Sequence, residues 1–259
     1  MLARIALRIA AIEAIKGKTL VGDNVLDSQI GALDVAADGS IRSDQEAPFI
    51  SVYTDGSKIA GGLDIRSLHK SGLTELTIEA GITAAMTQTD PETGESLILD
   101  GIPATDQAFE FFLDCVGRQI STALSDPLNE WAEIWCGLSS GVQMIERKRA
   151  SDAESGTRVA AHQLVISLDL LPDPLFGVAI ADTSIWAKFF AKLEVIGHPY
   201  LPMLMTLVGV PAGVLDHEAQ RRRFGLTLDD ARALLITPVE PAEGSDAVIA
   251  SVITEGDQA

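Results

Sequence analysis

The stretch "LTELTIEAGITAAM" (residues 73–86) decides the fold, because apolar side chains recur in it at every second position. This period is that of a β-strand with one buried face. The predicted buried face consists of Leu76, Ile78, Ala80 and Ile82. Thr77 and Glu79 fall on the opposite face, so we expect a strand of an antiparallel sheet whose second side meets water.

A second strand is predicted upstream, in "PFISVYTDGSK" (residues 48–58). Ile50 and Val52 alternate there with polar neighbours, which again indicates one buried face. The dipeptide Asp55-Gly56 follows and is typical of a tight turn. The strand is therefore expected to end at that dipeptide.

Two further strands are predicted in residues 142–170, joined by a polar turn at residues 151–156. The inner face of the second arm consists of Leu164, Ile166, Leu168 and Leu170. His162 shares that face, but no second histidine or thiol is spaced to bind a metal with it, which favours a structural histidine over a ligand. Residues 147–149 are all basic, which indicates a solvated sheet edge on the first arm.

Helical periodicity predicts the elements that cover this sheet. Residues 2–15 carry an apolar stripe at three- and four-residue spacing, and Gly17 marks its end. A second helix should begin after Thr105 as its N-cap, and a third should start at Pro127. The buried stripe of the second helix consists of Phe109, Phe112, Leu113, Val116, Ile120 and Leu124. In the third helix the predicted core residues are Trp131, Ile134, Trp135 and Leu138.

The proline-rich stretch "LLPDPLFG" marks a boundary, so residues 172–259 are predicted to form a C-terminal extension or small second domain. We expect a helix at residues 184–196, a helix opened by Thr227 and a last strand in residues 246–256. The fold class is α+β: a mostly antiparallel sheet with helices packed on it over residues 1–171, followed by an α+β extension.

The charge of the chain excludes some classes of protein. Lys and Arg total 19 against 37 for Asp and Glu, a formal net charge of -18 that disfavours nucleic-acid binding.

Glu13 interrupts the amphipathic first helix, which favours packing in the domain over a membrane-surface or transit helix. The longest nearly apolar run is shorter than the roughly 20 residues that span a bilayer. Cys115 and Cys136 are predicted to be buried thiols in a reducing compartment.

Motifs of nucleotide-binding proteins, serine hydrolases and zinc peptidases are absent from the sequence, so no catalytic, cofactor-binding or metal residue is assigned. An unrecognised enzyme or ligand-binding domain stays open as an alternative. It requires Asp216, His217, Glu218 or His198 to converge in a pocket with His162.

Several short phrases resemble one known family. They are "LRIAAIEAIKGKTLVGDNVLDSQIG", "PFISVYTDG", "LTELTIEAGI", "STALSD" and "RVAAHQLVISLDL". Over residues 1–171 their succession is similar to the tail terminator family, the tail-completion proteins of long-tailed, lambda-like bacteriophages. In that family a helix, a joint matching Thr19, Gly22 and Val25, and the "PFISVYT" strand are consecutive. Residues 172–259 have no counterpart in the compact members.

The resemblance implies a virion structural protein and not an enzyme. Family members form a ring, a hexamer, that caps the head-proximal end of the tail tube and joins the tail to the head connector. The implied partners are other copies of the chain, the tail tube protein and the connector or neck proteins, with DNA passing through the channel without sequence-specific binding and with no membrane. The implied location is the neck of the virion, after assembly in the bacterial cytoplasm. Another neck, head-tail joining or tail-tube protein is the alternative within this class.

Exposed loops and charged strand ends are the expected contact regions of such a ring. The regions are residues 18–47, 56–72 and 151–157. The candidate subunit or partner contacts are Tyr53, Asp55, Lys58, Arg66, Arg149, Arg158, Arg221, Arg222 and Arg223.

Overall fold

A computed structural model describes residues 1–28, 34–35, 41–42, 47–61, 67–68, 70–83, 88–89, 96–99, 102–103, 105–152, 159–209, 221 and 225–235. The helices are α1 (Leu2–Ile15), α2 (Asp106–Ser125), α3 (Glu130–Gly137), α4 (Ile185–Val195), α5 (Leu201–Val208) and α6 (Leu228–Ala233). The strands are β1 (Val25–Asp27), β2 (Asp34–Val35), β3 (Ile41–Arg42), β4 (Phe49–Lys58), β5 (Gly72–Thr83), β6 (Gln88–Thr89), β7 (Ser96–Leu99), β8 (Ile102–Pro103), β9 (Ser139–Asp152) and β10 (Val159–Leu170).

A five-stranded sheet in the order β1-β4-β5-β10-β9 forms the centre of the fold. β1 pairs with β4 in parallel, and the other neighbours are antiparallel, so the predicted α+β class with a mostly antiparallel sheet is confirmed. Two small sheets join β2 to β3 and β6 to β7 and β8. The predicted inner face of β5 is buried. Its second face is less exposed to solvent than predicted, since Thr77 is buried between Tyr53 and Val165 of the neighbouring strands.

The predicted turn at Asp55-Gly56 is wrong, because β4 continues through it to Lys58. Both residues lie opposite the single residue Glu75 of β5, which makes the dipeptide a β-bulge. Arg4 holds the bulge from α1: its Nη2 atom donates to the backbone oxygen of Thr54 at 3.1 Å and to that of Asp55 at 2.6 Å. The chain therefore bends without leaving the sheet.

Helix α1 lies inside the fold and not on its surface. Of the predicted stripe, Leu2, Ile9, Ile12 and Ile15 are buried and Ile5 is partly buried, but Ala3, Ala6, Ala10, Ala11 and Ala14 on other sides of the helix are buried as well. α1 packs against β4, α2 and α3 at once. Alanine makes this possible because it lets neighbouring backbones approach closely and loses no side-chain rotamer freedom on burial.

Helix α2 packs on β5 and β10 of the sheet, and α3 packs on α1, α2 and β9. The Thr105 hydroxyl accepts from the amide of Ala108 at 3.2 Å, as an N-cap should, and the predicted stripe of α2 is buried. α3 starts at Glu130, later than predicted from Pro127, because the side chain of Asn129 caps it by accepting from the amide of Trp131 at 3.1 Å. The predicted apolar residues of α3 are buried core residues.

The chain divides into two compact units, Met1–Pro211 and Ala212–Ala259, at a different place from the boundary predicted after residue 171. In the first unit, α4 packs on α3, and Lys188 bonds to Glu133 at 2.5 Å. Helix α4 confirms the helix predicted at residues 184–196, and Ser184 is its N-cap. In the second unit, Thr227 and Asp230 form the predicted capping box of α6. The predicted last strand, residues 246–256, lies outside the described residues.

Asp173 ties the segment after the sheet to the start of α1. Its carboxylate oxygens accept from the amides of Leu2 and Ala3, each at 2.8 Å. Amides at the start of a helix have no partner within the helix, and a carboxylate there also interacts favourably with the helix dipole.

Replacing Asp173 by Ala is therefore expected to lower the free energy of unfolding by about 1 to 2 kcal/mol, measured by urea denaturation. Asp182→Ala is the control, because Asp182 is exposed and bonds to no described residue. Equal losses for the two variants would contradict the capping role.

Both cysteines are more open than predicted. Cys115 is half-buried and Cys136 is exposed, because each lies beside the apolar stripe of its helix and not on it. The Cys136 thiol points back toward the backbone oxygen of Leu124, at 3.7 Å, and its partial burial raises its pKa. A raised pKa disfavours the reactive thiolate.

Candidate assembly surface

Strand β9 forms one end of the sheet, and within the described part of the chain only β10 pairs with it. It is long, 14 residues, whereas β1 at the other end has 3. Its first half exposes three apolar side chains: Val142, Met144 and Ile145 are 46%, 47% and 49% exposed. An exposed, long and partly apolar edge strand is a template for pairing with another chain.

Beside β9, a cleft of about 530 Å³ opens between α2 and the β9-β10 hairpin. Its size is that of an ordinary ligand-binding cleft. The apolar lining consists of Ile78, Ala80, Leu113, Ile120 and Leu164. Charged and polar side chains of α2, β9 and β10 line the rest, among them Glu110, Asp114, Arg118, Arg147, Arg149 and His162. An apolar lining among convergent charges suits an amphipathic ligand.

Glu110 of α2 joins the helix to the hairpin across this cleft. It accepts from Nε of Arg149 at 2.6 Å, and its other oxygen lies 3.1 Å from Nε2 of His162. Burial alone would raise the pKa of Glu110, but the bonds to Arg149 and His162 outweigh it and hold that pKa below its usual value. The contribution of these bonds to stability is thus present above the ordinary glutamate pKa and is lost as the pH falls through the lowered one.

His162 is therefore a satisfied structural histidine on the predicted face of β10, with Asp114 3.8 Å from its Nδ1 atom. Arg118 and Arg147 differ from Arg149. Both are exposed, and neither guanidinium group makes a hydrogen bond or ion pair with the described residues. Lys148, between the two strand arginines, bonds instead to Glu146 at 3.1 Å.

On the other face of the sheet, Tyr53 belongs to a closed polar network. Its hydroxyl donates to Glu79 at 2.7 Å, and the Gln163 amide donates to the same oxygen at 2.8 Å. Burial and then the bond to the Glu79 carboxylate raise the pKa of Tyr53. The network links β4, β5 and β10.

The other candidate contacts are distributed over the fold. Asp55 and Lys58 are exposed on β4. Strands β5 and β10 lie between β4 and β9, so these residues are at least about 14 Å from Arg149 on β9. Arg221, in the second unit, donates to the backbone oxygen of Leu226 at 3.2 Å. Arg66, Arg158, Arg222 and Arg223 lie outside the described residues, as do parts of all three predicted contact regions. Their roles as contacts stay predictions.

The convergence that an enzyme would need is not seen among the described residues. His198 lies near Glu13, Asp27 and Tyr200, away from the cleft that contains His162, and burial lowers its pKa. Asp216, His217 and Glu218 lie outside the described part of the chain. Where the structure describes side chains, no group of three metal-binding residues occurs. None of the described helices is long and apolar enough to cross a membrane.

Sequence reasoning missed the α2 side of the cleft. Glu110, Asp114, Gly117, Arg118 and Ser121 recur at three- and four-residue spacing, which places them on one polar face beside the buried stripe. That spacing could have predicted a polar face on α2. Local periodicity could not have predicted which strand this face meets.

Comparison of the chain with protein-family models and with curated proteins finds no match.

Proposed function

We propose that this chain is a subunit of a ring that caps the head-proximal end of a phage tail tube and joins the tail to the head connector. The proposal takes its biological setting from the resemblance over residues 1–171 to tail terminators. The single observation in the structure that supports it is the edge strand β9, since ring subunits need a surface that only a neighbour covers. Its function is then to form interfaces, not to turn over a substrate.

The two halves of β9 differ in a way that suits a specific contact. Natural proteins guard free edges with charge, and residues 147–149 do so for the second half. The first half, Ser139–Ile145, carries no charge and exposes Val142, Met144 and Ile145. An apolar area next to a charged border is the usual anatomy of a protein-protein interface.

The direct test is the mass of the purified protein by light scattering, together with negative-stain images with and without tail tubes of the phage that encodes it. We expect a ring in solution or a cap at one tube end. Decoration along the whole tube would instead assign the chain to the alternative class of tube or neck proteins. A compact monomer that ignores tubes would refute the proposal and reopen the enzyme alternative.

Met144→Lys is expected to weaken self-association at least about tenfold, because it places a charge where an exposed apolar side chain becomes buried between subunits. Sedimentation velocity measures the change. Leu128→Lys is the matched control: it removes an apolar side chain that is 89% exposed elsewhere and adds the same charge. If Leu128→Lys dissociated the assembly as strongly, the effect would be one of net charge and β9 would not be the interface.

A further inference from the structure

We propose that the cleft between α2 and the β9-β10 hairpin receives carboxylate side chains from a second copy of this chain. This inference rests on the ring proposed above and assigns the chemistry of one contact within it. The contact would be heterologous: the basic cleft of one copy meets a different, acidic surface of the next. Such a head-to-tail contact is the kind that generates rings.

The cleft has room for side chains of a neighbour. Gly117 lies inside helix α2 and lines the cleft, and a Cβ atom placed on it would meet nothing within 4 Å. A glycine inside a helix costs roughly 1 kcal/mol relative to alanine. No close neighbour requires this glycine, so its effect on the surface is to leave the middle of the cleft open.

The cations of the cleft provide the binding chemistry. Glu110 accepts from Nε of Arg149, whereas the guanidinium groups of Arg118 and Arg147 make no hydrogen bond or ion pair with the described residues. Guanidinium groups of this kind bind carboxylates through two parallel hydrogen bonds. The apolar lining beneath them excludes water from part of such a contact, which strengthens it.

The charge of the chain indicates why another copy is the favoured occupant. With a net charge of -18, two copies repel each other over most of their surfaces. A basic cleft next to the apolar part of β9 is a place where an acidic copy is attracted instead. Charge complementarity of this sort fixes orientation and partner choice more than it adds affinity.

The test is sedimentation velocity of the full chain carrying Arg118→Glu or Arg147→Glu. We expect each variant to weaken self-association about tenfold or more, and the wild-type association to weaken as salt is raised. Lys188→Glu is the matched control, since Lys188 is an exposed cation on α4 that bonds to Glu133 and does not line the cleft. Gly117→Phe should weaken the association as well, by filling the cleft without changing any charge.

The outcomes separate the two proposals. A wild-type chain that stays monomeric and ignores tubes refutes the ring itself. A wild-type ring that survives Arg118→Glu, Arg147→Glu and Gly117→Phe leaves the ring standing and overturns the role of the cleft. The same result with a loss of tube capping assigns the cleft to the tube protein, which also overturns the second copy as occupant. Circular dichroism of each variant confirms that α2 and the sheet are intact.

Discussion

Phe112→Ala is expected to lower the free energy of unfolding by about 4 kcal/mol, close to the largest effect of a single side chain in a core. Phe112 is 1% exposed and belongs to the buried stripe of α2, a helix that packs against β5 and β10 as well as α1 and α3. Removing the ring takes away apolar contacts and leaves a cavity that the surrounding sheet fills only in part. Since α2 also forms one wall of the cleft, a loosened helix should weaken self-association too.

Urea denaturation measures this loss, and the preceding residue in the chain supplies the control. Phe111 is 59% exposed, so Phe111→Ala removes the same ring from a surface position. We expect it to change the free energy of unfolding by no more than about 0.5 kcal/mol. Similar losses at both positions would mean that α2 is rotated about its axis and that Phe112 does not face the core.

Gly72→Ala is expected to lower the free energy of unfolding by about 3 kcal/mol, for two separate reasons. Gly72 has a φ of +60°, which side-chain-bearing residues rarely adopt. A Cβ atom there would also lie 2.5 Å from the backbone oxygen of Lys58 and 2.7 Å from Cγ1 of Ile59. Because the nearest atom belongs to the backbone, a rotamer change cannot relieve the clash, and the end of β4 must move away from β5.

Gly22→Ala separates the two causes. Gly22 has a similar φ of +69°, but a Cβ atom there would meet nothing within 4 Å. The free energy of unfolding of Gly22→Ala should therefore fall only by the backbone strain, about 1 kcal/mol. Thermal or urea unfolding measures the difference. If Gly72→Ala cost no more than Gly22→Ala, the close approach of β4 and β5 at Lys58 would be wrong.

Elements with one buried face were predictable from local pattern. The alternation in β5, the inner face of β10, the stripe of α2 and its Thr105 cap are confirmed. Each of these features depends on residues that are only two, three or four positions apart in the sequence. The core role of Trp131 and Trp135 followed from the same spacing.

Features that depend on a partner element were not predictable in this way. Asp55-Gly56 is a dipeptide that suits both a turn and a bulge, and the choice is made by the pairing of β4 with β5 and by Arg4 from α1. The alanines of α1 gave no signal, because alanine is common on both exposed and buried helix faces. The candidate site was found in part: Arg149 was identified, whereas Gly117 and Arg118 of α2 come next to Arg147 only when α2 meets the hairpin.

The bond between Asp173 and the start of α1 also orders events during synthesis. The two ends of this contact are 170 residues apart in the chain. At ordinary rates of translation, roughly 10 to 30 s pass between the synthesis of the two ends. Throughout that interval the first turn of α1 has no cap. From its own synthesis until that of β10, strand β5 also lacks one of its two neighbours in the sheet. The nascent chain thus carries α1, which has ten buried residues in the folded protein, without its cap or its full cover until the hairpin and Asp173 have emerged. In this interval the apolar residues of α1 most need the protection of a chaperone.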